Sequence, residues 1–261
     1  MVGRGGTLAA YLLHRWDWSE SSLILDLFTR EQGRVAVAAK GAKRPYSQLR
    51  SVLLPFQRLN VSLGRLPAGG SAEVHNLRAA EWAGGLPMPG GDALFSGFYL
   101  NELVMKLLAR HDPHPALFDA YAATLPAIAA ATAARDDTQA QAALRAFELV
   151  LLREIGLLPD LRFVTLTQAP LEPGARYALL PEAGVSLART PDAALDAAAL
   201  QAMQSALDTS DLAALQTACA LHLPALKAQL RALLQYHLGS PTLRTRDVMQ
   251  SVQRLTASSS P

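Results

Sequence analysis

Lys40, Lys43, Arg44 and Arg50 fall within eleven consecutive positions of a 261-residue chain whose formal net charge is only +2. With Arg34 and Arg65 flanking them, they belong to a span, Arg30 to Arg65, that holds eight Lys or Arg against Glu31 alone. Ammonium and guanidinium groups gathered in this way neutralise phosphates and release the counterions condensed on a polyanion, so the chemistry they offer is nucleic-acid binding. The competing reading is a solvated surface, although ordinary surfaces intersperse both signs to avoid self-repulsion. Tyr46 and Phe56 are close enough in sequence to supply stacking platforms, with Phe56 weighed toward the core.

Other chemistries find little support. "AAKGAKRPYS" places Lys40 before Gly41 with no following Gly-Lys-Ser/Thr, so it is not a phosphate loop. "RHDPHP" offers His111, Asp112 and His114, but two His three apart around a proline suit a solvated helix end better than a metal site. "HRWDWSESS" collects His14, Asp17, Ser19, Glu20, Ser21 and Ser22, and it reads as a polar turn between strands, since proximity in a turn does not orient a nucleophile against its base. Cys219 sits in an apolar helical stretch and cannot pair, being the only cysteine. No catalytic activity, cofactor or metal is expected. No export signal or membrane span is read, and one cysteine suits a reducing cytoplasm.

The elements that must carry the basic residues change character near position 83. Residues 1–82 hold 11 Lys+Arg and 6 Asp+Glu, while residues 83–261 hold 13 and 16. In the first part, short β-like runs are predicted at 8–15, 22–29, 33–39, 56–63 and 72–80, with Glu31-Gln32-Gly33 as a tight hairpin. Five short strands suit a closed barrel, which leaves no sheet edge exposed. In the second part the period is helical: 93–110 capped by Asp92, 115–134, 138–155 capped by Asp137 and stopped by Gly156, then 193–207, 211–223, a helix from Pro224 to before Gly239, and a short one at 246–255. Residues 157–191 hold five prolines and two β-like runs, 163–167 and 177–180, and read as an irregular insertion. The expected fold is therefore α+β, with an OB-type β-barrel over 1–82 and a mostly helical domain over 83–261.

The stretch "YLLHRWDWSESSLILDLFTREQGRVAVAAKGAKRPYSQLRSVLLPFQRLNVSLGR" resembles the N-terminus of the RecO family of DNA repair and recombination proteins. Its polar "SE-S" turn, "FT…GR" hairpin, basic "AKGAK" turn and "L-PF" strand carry the resemblance. "YLNELVMKLL", "LRAFELVLLREIGLLPDL" and "LRALLQYHLGSPTLRTRDV" continue it in the family's order through the helical part.

The resemblance implies an OB barrel and helical domain that bind single- and double-stranded DNA, anneal complementary strands coated with single-strand-binding protein, and work with RecR to load RecA. Phosphate contacts are assigned to Lys40, Lys43, Arg44 and Arg50, with Arg34 and Arg65 as flanking candidates. Some members carry four zinc-binding cysteines in the insertion, whereas residues 157–191 here contain neither Cys nor His. Arg145, in "LRAFEL", occupies the position where relatives that hold the acidic tail of single-strand-binding protein carry a basic residue. It would act beside an apolar face of Leu144, Phe147 and Leu151. Two alternatives stay open from the residues alone: an RNA-binding barrel of the translation or ribosome-assembly type, and an interaction scaffold whose basic barrel only solubilises it.

Overall fold

Leu8–Asp17 (β1), Leu23–Thr29 (β2), Gly33–Ala39 (β3), Arg58–Leu63 (β4) and Val74–Trp82 (β5) close into a five-stranded barrel of order β1-β2-β3-β5-β4, an OB-type topology. All neighbours are antiparallel except β3 and β5. The computed structural model describes residues 6–64, 74–84, 89–190, 194–239 and 243–258. Alternate residues of the strands fill the barrel: Leu12, Leu25, Leu27, Val35, Val37, Leu59 and Val61 are all buried. The hairpin at residues 30–32 needs Gly33, whose φ is +66° and where a Cβ would stand 1.9 Å from the Asp112 carbonyl oxygen. A short helix not anticipated from the sequence, Leu49–Val52 (α1), packs its Leu49 and Val52 against the barrel core.

The outer face of the barrel is also apolar, and it is covered by helices that follow the barrel in the chain. Tyr11 and Phe28 point outward and meet Phe118 and Tyr121 at ring separations of 4.9–6.0 Å. These last two lie at the start of Pro115–Ala133 (α3), which follows Gly91–Leu107 (α2). Asn101 of α2 donates through Nδ2 to the Leu13 carbonyl (2.9 Å) and accepts from Tyr121 Oη (2.5 Å). Burial pushes the Tyr121 phenol well above its ordinary value, so it stays a donor. The compact unit that holds the barrel runs from Met1 to Ala122, and the second from Ala123 to Pro261. By length and composition α3 could cross a membrane, but Leu117, Phe118, Tyr121, Leu125 and Ile128 on it are buried within protein.

The second unit is built on Asp137–Glu154 (α4), with Ala197–Asp208 (α5), Leu212–Ala220 (α6), Leu223–Leu238 (α7) and Arg244–Ser258 (α8) following. The caps differ in part from expectation. Gly90, not Asp92, precedes α2, and Asp136, not Asp137, caps α4 by accepting from Gln139 N at 3.0 Å. Asp211, expected within the helix 211–223, is instead the cap that precedes α6, and Gly239 ends α7 in the left-handed region. The insertion is more regular than its prolines imply: Arg176–Leu180 (β6), Gly184–Leu187 (β7) and Leu195–Asp196 (β8) form a sheet of order β7-β6-β8. The run at 163–167 makes only an isolated bridge, Phe163 to Pro170.

Candidate nucleic-acid interface

Strand register gathers the basic residues at one end of the barrel. Asp17 pairs with Leu23, Leu23 with Ala39, and Leu59 with Trp82, so the last residues of β1, β3 and β5 and the first of β2 and β4 share one rim. From it project the β1–β2 turn (18–22), the basic turn (40–48) and α1. Backbone and side-chain bonds lace the two turns together. Lys43 N donates to the Ser21 carbonyl (3.0 Å), Gly41 N to Ser22 Oγ (3.3 Å), and Lys43 Nζ to the Ser19 carbonyl (3.2 Å). Gly41 takes φ +73°, which turns the chain between Lys40 and Lys43, and the Arg44 side chain folds back over it.

The charges on this rim differ in how far they are committed. Lys43 Nζ lies 3.2 Å from Asp17 Oδ1. Lys40, Arg44 and Arg50 are exposed and have no ion-pair partner among the described residues. Arg15, Lys43 and Arg50, with Asp17, surround a cavity of about 260 Å³ whose apolar wall is Leu23, Ala42, Leu49 and Leu53. Three cations over an apolar floor make a surface that attracts phosphate while leaving room for a base or sugar. Tyr46 is fully exposed on the same turn. Phe56 is interior, its ring 5.0 Å from that of Phe98 and against Gly97, so of the two aromatic candidates only Tyr46 is available.

Two sequence assignments are corrected. Arg34 lies away from the rim, and its guanidinium is bidentate to the buried carboxylate of Asp26, with Nε 2.9 Å from Oδ1 and Nη2 2.8 Å from Oδ2. Its Nη1 donates to the Met105 carbonyl and to that of Leu108 (3.2 Å), satisfying carbonyls at the end of α2. A guanidinium so engaged is structural. Arg65 lies outside the described residues. In the helical unit, Leu144, Phe147 and Leu151 share a face of α4 as their spacing predicts, but all three are buried in that unit's core, and Arg145 is buried against Glu148. That face is interior packing and not a partner surface.

What the sequence reading passed over is Arg15 together with Trp16, Trp18 and Trp82, all exposed at this rim. A signal existed in the "HRWDWSESS" stretch, where a β-strand alternates His14 and Trp16 with Arg15 and Asp17. Among the described residues no group of three or more His, Cys, Asp or Glu is placed to hold a metal ion.

The sequence descriptions of the Recombination protein O N-terminal and C-terminal domains match residues 7–84 and 89–247, which together span nearly the whole chain. The chain belongs to the RecO family. It is 53% identical over 251 residues to the DNA repair protein RecO of Variovorax paradoxus (strain S110), covering 94% of this chain and 96% of that one. It is 54% identical over 254 residues to the DNA repair protein RecO of Polaromonas sp. (strain JS666 / ATCC BAA-500), covering 97% and 98%. The DNA repair protein RecO of Acidovorax ebreus (strain TPSY) is 54% identical over 253 residues, covering 94% and 96%. A general role in DNA repair and recombination follows from RecO membership. The basic rim lies within the matched RecO N-terminal domain.

Proposed function

We propose that this protein is a non-catalytic recombination mediator that binds single- and double-stranded DNA at the basic rim of its barrel. In this reading it anneals complementary strands coated with single-strand-binding protein and, with RecR, helps load RecA in the cytoplasm. The observation that supports it best is the set of exposed cations with no carboxylate partner among the described residues, Lys40, Arg44 and Arg50, close in the chain to Lys43 and the laced turns. The mechanism is electrostatic. Two phosphate backbones repel each other, and a rim that neutralises part of both lets pairing begin, with binding that weakens steeply as salt rises. Phosphate contacts of this kind position strands without reading sequence.

The test is annealing of complementary oligonucleotides coated with single-strand-binding protein, followed by fluorescence transfer between end labels. Added protein should accelerate annealing, and the acceleration should fade with salt. No acceleration at any salt concentration would overturn the reading. Competition between DNA and structured RNA in the same buffer decides against an RNA-binding role if DNA wins.

A further inference from the structure

Phe56 has a φ of +65°, in the left-handed region that a bulky side chain seldom enters. It follows Pro55 in the turn between α1 and β4, and proline followed by a residue of positive φ is a turn pattern in which the second place ordinarily falls to glycine. The ring is nevertheless buried, with 5% of the residue exposed. Its socket is made by α2: a Cβ on Gly97 would stand 2.8 Å from Phe56 Cε1 and 3.0 Å from Cζ, and the Phe98 ring meets it edge-on at 5.0 Å. A glycine in mid-helix and a phenylalanine in a glycine's place in the turn are thus matched to each other. Gln57, next in the chain, accepts from Trp82 Nε1 at 3.0 Å and ties the far side of the turn to β5. Backbone held in this way persists only where the surroundings over-determine it, and such positions gather at sites that bind or switch.

What leads into this turn is α1. A single helical turn, Leu49–Val52, has no stability of its own and takes its orientation from its anchors. At its start Arg50 N donates to the Ser47 carbonyl at 3.2 Å, and along its length Leu49 and Val52 lie on the barrel core. Beyond its end the Leu53 carbonyl accepts from Arg15 Nη1 at 3.5 Å, too long a bond to hold the helix by itself. The firm anchor on that side is the socketed ring of Phe56. Leu49, Arg50 and Leu53 form one side of the cavity of about 260 Å³ described above. We infer that Phe56 is a positioning residue for polyanion binding: locked against Gly97 and Phe98, it holds the exit of α1 so that Arg50 stays on the rim. This role rests on the nucleic-acid reading above and gives part of that binding to a buried side chain that touches no ligand. With the ring out of its socket the turn relaxes, α1 loses its rear anchor, and Arg50 spends less time where a phosphate would meet it.

The experiment is a double-mutant cycle on the full chain, read as affinity and salt slope for a short mixed-sequence oligonucleotide. Arg50→Ala should weaken binding by roughly fivefold and lower the slope by about one, the share of a single phosphate. Phe56→Leu keeps an apolar side chain but loses the ring, and Gly97→Ala keeps the ring but closes its socket. Each should weaken binding by roughly two- to threefold and remove a fraction of the same slope. In the Arg50→Ala background each should cost less than about 1.5-fold, because a residue that acts through Arg50 then has nothing to position. Circular dichroism at the assay temperature checks the fold of every variant, and since the two changes reach the lock from different elements, either one completes the cycle. No loss from either change, or losses that carry over undiminished onto Arg50→Ala, would overturn the inference and leave the rim as the interface. An Arg50→Ala protein with the parent's affinity and slope would overturn the inference together with the place of Arg50 at that interface.

Discussion

Arg145 Nη2 lies 2.7 Å from Glu148 Oε1 within one turn of α4, and the two side chains are exposed by only 8% and 0%. An ion pair so deeply placed gains little over apolar packing, because each charge has lost its water, but removing one partner strands the other in a medium that cannot solvate it. Arg145→Ala is therefore expected to destabilise the protein by about 3–5 kcal/mol. Replacing both, Arg145→Met with Glu148→Leu, should recover most of that. Urea denaturation of the single and double variants measures both numbers, and a single variant within ~1 kcal/mol of the parent would show that the pair is dispensable.

Cys219 is packed in the same interior. Burial pushes its thiol up to about 12, the carboxylate of Glu148 adds to the shift, and Arg145 opposes it. The folded protein should leave alkylating reagents unreacted at pH 8 and consume them one per chain when unfolded, because the thiolate is the nucleophile. The same shift sets a direction for stability. The folded state holds this proton more tightly, so the contribution is full below the ordinary thiol value of 9.0 and is lost as pH climbs from there toward about 12. Cys219→Ala should make the alkaline limb of a stability-versus-pH curve shallower, and an unchanged limb would count against the buried thiol as its cause.

At the rim, replacing Lys40, Lys43 and Arg44 together by Ala should weaken DNA binding across sequences and reduce the salt slope by about 2–3, roughly one for each phosphate that is no longer neutralised. Lys43 also holds the β1–β2 turn through Asp17 and Ser19, so its single replacement should lower affinity more than that of Lys40. Titrations at several salt concentrations give the slope, and a slope equal to the parent's would move the interface elsewhere.

The insertion is held by buried amides that answer backbone donors. Gln229 Oε1 accepts from Leu179 N at 2.7 Å, and Gln204 Oε1 accepts from Leu161 N at 2.9 Å. Around them Tyr177, Leu179, Val185 and Leu195 form a small apolar cluster under the sheet. Gln229→Leu leaves the Leu179 N–H without its acceptor and should cost about 1–3 kcal/mol. A chelator should leave the melting temperature alone, and metal analysis should find no stoichiometric zinc. A tightly held zinc would require ligands elsewhere in the chain.

Strand positions were legible because a period of two and the turn residues at 31–33 are local properties, and Gly156 and Gly239 marked helix ends for the same reason. Spacing also put Leu144, Phe147 and Leu151 on one face of α4. Periodicity says which residues share a face but not what that face meets, and here it meets α6 and α7 of its own unit. The outward Tyr11 and Phe28 posed the same difficulty, since their partners Phe118 and Tyr121 lie 90 to 110 residues on. At the rim, charge was visible as composition, whereas the tryptophans became a group only when closure brought β5 to the end where β1 finishes.

Arg34 shows how register converts an apparent ligand contact into a structural one, and it supplies the last prediction. The hairpin pairs Phe28 with Arg34 and Asp26 with Ala36, so Asp26 and Arg34 are diagonal neighbours on one face, within reach of long side chains. Asp26 is fully buried, and Arg110 approaches it only to 3.6 Å. Arg34→Ala should therefore destabilise the barrel unit by about 3–5 kcal/mol through the stranded carboxylate. Arg34→Met with Asp26→Leu should restore much of the loss, leaving a folded protein in which the guanidinium is absent. For that double variant the salt slope of DNA binding should equal the parent's, because four of the five N–H donors of Arg34 already bond Asp26 and the carbonyls of Met105 and Leu108. A slope lower by about one unit would return Arg34 to the interface and mean that the Asp26 pair opens when DNA binds.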